Sequence, residues 1–274
     1  MLELPQVTLC AIDTRTPALA LQAMAHCMAG IRFGRSVFLT EGATRDVPPG
    51  IEAFDIGPIA SGAAYSDFVL RRLPDWVDTS HVLVVQWDGF VLDAARWEPA
   101  FLDTDYLGAP WQKARDGQEV GNGGFSLRSR RLLQALREPA VAARLHHPED
   151  ICIGQTLRPW LEAEHGIVFG TRAMAARFAF ENETPSQPTF GFHGAFNLPR
   201  ALGAQAFAGW LPDLPEAMVQ GRDGFKLARA LVRGREPALA LRLLERRAAG
   251  GALDGRSRLL AWQARLQAAR GHGS

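Results

Sequence analysis

Short apolar runs and helix-period segments alternate through residues 7–86. That alternation restricts the chain to an α/β fold, a mostly parallel central sheet of Rossmann-like type with helices on both faces. Val7–Ile12 has the length and composition of a buried strand. Thr16-Pro17 then offers an N-cap and a helix-compatible first position to an Ala/Leu/Met-rich segment that continues to Gly30. Strands are predicted at Ser36–Thr40 and Glu52–Ile56, with a helix around Ala63–Leu73. The strongest strand signal of the chain follows at His81–Gln86, HVLVVQ.

Beyond residue 106 the pattern is irregular: YLGAPW, then VGNGGFSLRS, then a helix over Arg130–Arg137. A helical stretch starts near Glu149 and is interrupted at Pro159, and residues 181–199 read as loop. From Gly224 onward the sequence gives three short Ala/Leu/Arg helices, broken at Gly234–Pro237 and Gly250–Gly255. Charge divides the chain at the same place. Residues 222–274 carry 12 Lys or Arg against 4 Asp or Glu, a balance of +8, whereas residues 1–221 stand at −7. The expected organisation is therefore an acidic α/β domain, 1–221, and a basic helical appendage, 222–274.

The overall net charge of +1 argues against a dedicated nucleic-acid binder. No run of about 18 apolar residues reads as a membrane span, and the N-terminal MLELPQVTLCAID has no basic and apolar regions of a secretory signal. Cys10, Cys27 and Cys152 are too scattered for a disulfide framework, which favours a reducing, cytoplasmic setting. The basic tail has two readings: a solvated helical cap, or a peripheral membrane contact on anionic lipid at the inner face of the membrane.

Ligands of open α/β sheets bind beyond the carboxyl ends of the strands. Asp13, Thr14 and Arg15 follow the first run, Asp55 ends the third, and Trp87-Asp88-Gly89 follows the fourth. Thr14, Arg15 and Asp55 are thereby candidate nucleotide contacts. Neither a G-x-G-x-x-G after the first strand nor a P-loop is present, which removes the main support for a dinucleotide-binding domain.

Each remaining candidate has a structural reading beside a functional one. Asp88 is a turn residue before glycine or a metal ligand at the sheet edge. Gly121-Asn122-Gly123-Gly124 is a hairpin turn or a loop that lets backbone approach a ligand. Glu149 and Asp150 are first-turn acids favoured by the helix dipole, or they supply a general base. His193, between glycines and aromatics, is a hydrogen-bonded structural residue or a metal ligand in its neutral form. Trp87, Tyr106 and Trp111 are core aromatics or faces on which a pyranose stacks.

The ordered set QWD, GNGGFSLRS, PED and FGFHG resembles the landmarks of GT-A glycosyltransferases: DxD motif, glycine-rich loop, xED motif and C-terminal histidine. VVQWDGFVL, DYLGAPW, GNGGFSLRS and FGFHG are more specifically similar to a family of bacterial glycosyltransferase-like proteins, and EDICIG looks like a stretch of β-1,3-galactosyltransferase-type enzymes. The resemblance spans roughly residues 5–200. It implies a nucleotide-sugar donor, a UDP-sugar in first place, and a glycan or lipid-linked acceptor in bacterial polysaccharide biosynthesis. By that resemblance Asp88 and His193 hold Mn²⁺ or Mg²⁺, and Gln86 and Trp87 belong to the donor site. Gly123 and Gly124 line the donor sugar, while Asp150, supported by Glu149, is the base of an inverting reaction. Gln86 stands where the motif has its first acid, which implies weak metal binding or none. Two other functions compete: a non-catalytic nucleotide-sugar or glycan-binding module, which the Gln86 departure favours, and a nucleotidyltransferase, for which DTRTPAL is a poor loop.

Overall fold

A computed structural model describes residues 1–42, 47–115, 117–251 and 253–271. The chain divides into two compact units, Met1–His193 and Gly194–Ser274.

The first unit opens with β1 (Leu2–Ile12), α1 (Pro17–Gly30), β2 (Ile31–Thr40), β3 (Glu52–Asp55), α2 (Gly62–Arg71) and β4 (His81–Val85). It continues through β5 (Tyr106–Gly108), a short hairpin of β6 (Pro110–Arg115) and β7 (Gln118–Val120), then β8 (Ser126–Ser129) and α3 (Arg130–Ala135). One turn, α4 (Glu149–Ile151), leads into a π-helical turn at Cys152–Thr156. After it come α5 (Arg158–His165), α6 (Arg172–Phe178), β9 (Ala179–Phe180) and β10 (Gly191–Phe192).

The central sheet has the order β3-β2-β1-β4-β8-β5. The first four strands are parallel, and β8 runs antiparallel to both β4 and β5. All five residues of β4 are buried, as a strand paired on both edges and covered on both faces requires. Cys10, Ile12, Val82 and Val84 pack with Val69 of α2, Leu73 and Leu133 of α3. α1 lies against β1, β2 and β4 and buries Leu19, Ala20, Ala23, Met24 and Cys27. The structure is thus mixed α/β with a mostly parallel sheet.

Some elements depart from the sequence reading. β1 begins at Leu2 and β2 at Ile31, five residues ahead of Val7 and Ser36 respectively. Pro5 and Gly34 hide this extension, because neither suits a strand interior. The β1/β2 register shifts between Leu4 and Thr8, and a Cβ at Gly34 would sit 2.0 Å from the Pro5 carbonyl oxygen. The helical stretch that begins at Glu149 breaks at Leu157, two residues ahead of Pro159. Pro159 then occupies the first turn of α5, where its missing N–H costs nothing.

The second unit is helical: α7 (Leu198–Leu202), α8 (Ala204–Trp210), α9 (Glu216–Gln220), α10 (Arg222–Arg233), α11 (Pro237–Ala249) and α12 (Gly255–Gly271). The last three pack on one another, joined through Gly234 and Gly250. Among the described residues no helix is long and apolar enough to cross a membrane.

Candidate functional site

β4 delivers the first residues of the site. Gln86 and Gly89 exchange two backbone hydrogen bonds of 3.0 and 2.9 Å, closing a two-residue turn with Trp87 and Asp88 at its tip. Both tip residues are partly buried. Ala11 pairs with Val85, so the end of β1 lies level with this turn.

The 121–125 loop enters from the other side. Because β8 is antiparallel to β4, its start, rather than its end, lies at this edge of the sheet. Asn122 holds the loop in shape. It adopts φ 74°, and its Oδ1 accepts from the Gly124 and Phe125 amides at 3.0 and 3.2 Å. Its Nδ2 lies 2.9 Å from Nδ1 of His193.

His193 arrives through the small parallel pair β9/β10, in which Phe180 lies opposite Phe192. That register brings the following residues, Glu181 and His193, side by side. Glu181 Oε1 is 3.3 Å from His193 Nδ1, while Nε2 faces Gln86 Oε1 at 3.3 Å and Asp88 Oδ1 at 3.6 Å. Burial lowers the imidazole pKa, but the charges of Asp88, Glu181 and Asp150 outweigh it and raise it to about 9. An ion taking Nε2 must displace that proton.

Two glycines of the loop are explained by close protein contacts. A Cβ on Gly124 would lie 2.1 Å from His193 Nε2 and 2.6 Å from Gln86 Oε1; one on Gly123 would lie 1.8 Å from Glu149 Oε1. The backbone of the loop thus lies directly against the imidazole and the Glu149 carboxylate.

Glu149 and Asp150 have different surroundings. Glu149 is buried, faces Arg128 Nη2 at 3.3 Å and accepts from Ser66 Oγ at 3.2 Å. Arg128 has no exposed surface, also donates to Ser126 Oγ and the Gly123 carbonyl, and among the described residues its Nη1 has no partner. Asp150 is partly exposed. Burial, then the neighbouring Glu149 charge, raise its pKa against the opposing pull of the Ile151 amide, Arg128 and the Asn122 amide.

The remaining sequence candidates fall in two groups. Trp111 packs against the loop, its indole 1.8 Å from where a Gly121 Cβ would be. Tyr106 offers no face to a sugar. It is fully buried, its ring 5.6 Å from the Arg128 guanidinium and its hydroxyl donating to the Asn122 carbonyl at 3.3 Å. Thr14, Arg15 and Asp55 form a separate patch on the same sheet edge. Thr14 Oγ1 accepts from the Ile59 amide at 3.1 Å, Arg15 donates to the Ala60 carbonyl, and Asp55 accepts from the Gly42 and Gly57 amides. Those two amides hold the Asp55 carboxyl below its usual range. Asp55 is three strands from β4, about 14 Å at the usual strand spacing.

The sequence reading names Asn122 only as part of the 121–124 loop, with no role for its side chain, and gives no role to Arg128 or Glu181. The first carried a signal, since Asn within glycines is a common left-handed residue. The other two carried none: an arginine in a strand and a glutamate in a polar loop.

Among the described residues no three His, Cys, Asp or Glu side chains form a metal cage. Asp88 and His193 nonetheless fit an ion completed by other oxygens. Two donors each about 2.1 Å from one ion lie about 3.0–4.2 Å apart, and the observed separation is 3.6 Å.

The fold and this edge define an α/β protein with a cluster of ionisable side chains at the carboxyl end of its central strands. The chain belongs to the family of proteins of unknown function DUF5672, whose profile matches residues 50–193. No curated protein matches it. Among solved structures it is similar to the galactosyltransferase LgtC in complex with donor and acceptor sugar analogs, at 16% identity and TM-score 0.46, over 76% of this chain and 100% of that one. It is similar too to the mannosyltransferase PcManGT from Pyrobaculum calidifontis in complex with GDP-Man and Mn²⁺, at 12% identity and TM-score 0.39, over 96% and 85%. A third is the apo-form of the glycosyltransferase GlyE of Streptococcus pneumoniae, at 13% identity and TM-score 0.39, over 84% and 64%.

Proposed function

We propose that this chain is a GT-A-type glycosyltransferase that moves a sugar from a nucleotide-sugar donor, a UDP-sugar in first place, to a glycan or lipid-linked acceptor. The observation that carries the reading is the meeting of Asp88, His193, the 121–125 loop and Asp150 at one edge of the sheet. Asp88 Oδ1 and His193 Nε2 would hold Mn²⁺ or Mg²⁺, with Gln86 Oε1 in reach as a neutral oxygen donor. Such an ion supplies charge neutralisation to the diphosphate leaving group. With one carboxylate in the donor set, the protein alone would bind the ion weakly, and Asp88 and His193 would hold it together with oxygens of the bound donor.

Asp150 acts as the general base. Its carboxylate takes the proton of the acceptor hydroxyl as that oxygen bonds to the sugar anomeric carbon and the bond to the diphosphate breaks, with inversion. Glu149 supports it indirectly, neutralising Arg128 beneath the loop and, by its charge, raising the Asp150 pKa. Trp111 remains a candidate for stacking on the sugar; Thr14, Arg15 and Asp55 are proposed to contact the nucleotide.

The test is Asp150→Asn, measured for donor affinity and for transfer or donor hydrolysis. The rate is expected to fall about 10²–10⁴-fold with affinity retained. Because the Asp150 pKa is raised, the wild-type rate is expected to drop as pH falls through a value above the usual ~3.9 of an aspartate, and this limb disappears in the variant. Wild-type turnover in Asp150→Asn would remove the base. A nucleotide-sugar that binds but is neither transferred nor hydrolysed by the wild type would support the binding-module reading.

A further inference from the structure

α12 carries a surface feature that glycosyl transfer does not use. Its buried face is formed by Ser257, Leu260, Ala261 and Ala264, and Gln267 anchors it by donating to the Val232 carbonyl at 3.0 Å. On the other side Leu259, Trp262 and Leu266 are 55%, 57% and 38% exposed. At 3.6 residues per turn these three fall within about 60° of arc, centred about 180° from the buried face. Large apolar side chains in a row on the outside of a helix signal an interaction surface rather than chance exposure.

The flanks identify what the row meets. Arg258 and Arg265 border it on the Trp262 side, Arg256 and Arg270 on the Leu259 side, and all four are exposed. α12 contains no Asp or Glu. An apolar row with a tryptophan, bounded on both sides by arginines, matches a lipid interface in depth as well as charge. The row enters the acyl boundary while the guanidinium groups remain among the headgroups.

We propose that α12 lies in the plane of an anionic lipid surface, with Leu259, Trp262 and Leu266 inserted and Arg256, Arg258, Arg265 and Arg270 on the headgroups. The contact needs no catalytic residue and stands or falls separately from the glycosyl-transfer reading.

The experiment is co-sedimentation of the full chain with vesicles of phosphatidylcholine alone or mixed with phosphatidylglycerol. Binding is expected on the anionic vesicles at about 0.1 M salt and should be largely lost at about 1 M, where the screening length falls to about 3 Å. The pair Arg258→Gln/Arg265→Gln is expected to weaken binding about 30-fold, at roughly fivefold per arginine. Leu259→Ala/Trp262→Ala keeps every charge and is expected to weaken it at least about tenfold. Both pairs lie on the exposed face, so melting temperatures should not change; if either pair melts early, Leu266→Gln gives the same readout with a single change. Equal retention on both vesicle types, no retention at low salt, or wild-type retention by the variants would overturn the proposal. So would a dimer in lipid-free solution that Leu259→Ala/Trp262→Ala dissolves, which would make the row a contact between copies. RNA that displaces the protein from vesicles at matched phosphate concentration would count against it too.

Discussion

Glu149→Gln takes the countercharge from Arg128, a guanidinium with no exposed surface. Breaking a buried ion pair from one side typically costs about 3–5 kcal/mol, because the remaining charge stays buried and uncompensated. The 3.3 Å separation is longer than the roughly 2.7–2.9 Å of a tight charge-assisted bond, and Arg128 keeps the Ser126 hydroxyl and the Gly123 carbonyl. The expected loss therefore sits at the lower end, about 3 kcal/mol. In a unit of this size each kcal/mol shifts the melting temperature by about 2–4 °C, so a drop of about 6–12 °C is expected. Differential scanning calorimetry reads it directly. The combination with Arg128→Met removes both charges and is expected to recover much of the stability lost in Glu149→Gln. A single variant melting within about 2 °C of wild type, or a double variant whose loss equals the sum of the two singles, would refute the view that this pair is coupled.

Two further outcomes follow from the same edge of the sheet. Mn²⁺ is expected to tighten binding of uridine diphosphate, and Asp88→Asn to abolish that gain; calorimetry with equal affinity in EDTA and in Mn²⁺ would remove the metal role of Asp88 and His193. Gly124→Ala places a methyl group 2.1 Å from His193 Nε2 and is expected to displace the ring and abolish the Mn²⁺ response. Gly209→Ala, with open space around it, is the control expected to leave the response unchanged.

The legibility of this site in the sequence follows strand direction. Asp88 is readable because it sits in the turn that follows a parallel strand, where the carboxyl-end rule applies. The 121–125 loop precedes its strand, and only the antiparallel direction of β8 brings it to the same edge. No apolar period records that direction. Glu181 was hidden for a related reason: two-residue strands are too short to show alternation, yet their pairing carries Glu181 to His193. The stacking role expected of Tyr106 shows the opposite failure. An aromatic near a site reads alike whether its face is open or buried under an arginine, and only packing decides. Pro5 and Gly34 concealed half of two strands because a local irregularity is indistinguishable from a boundary when one chain is read without its partner.

The sheet order also limits how this protein can be cut. The segment matching the family, residues 50–193, contains β3, β4, β5 and β8 but not β1 and β2, which lie between β3 and β4. Excised alone, it would leave β3 with no neighbour and bare one whole side of β4, whose five residues are all buried in the intact sheet, to any strand in solution. Insertions and fusions in this chain are therefore safest outside the span from β1 to β10; a module boundary drawn at residue 50 is a boundary of sequence similarity and not of folding.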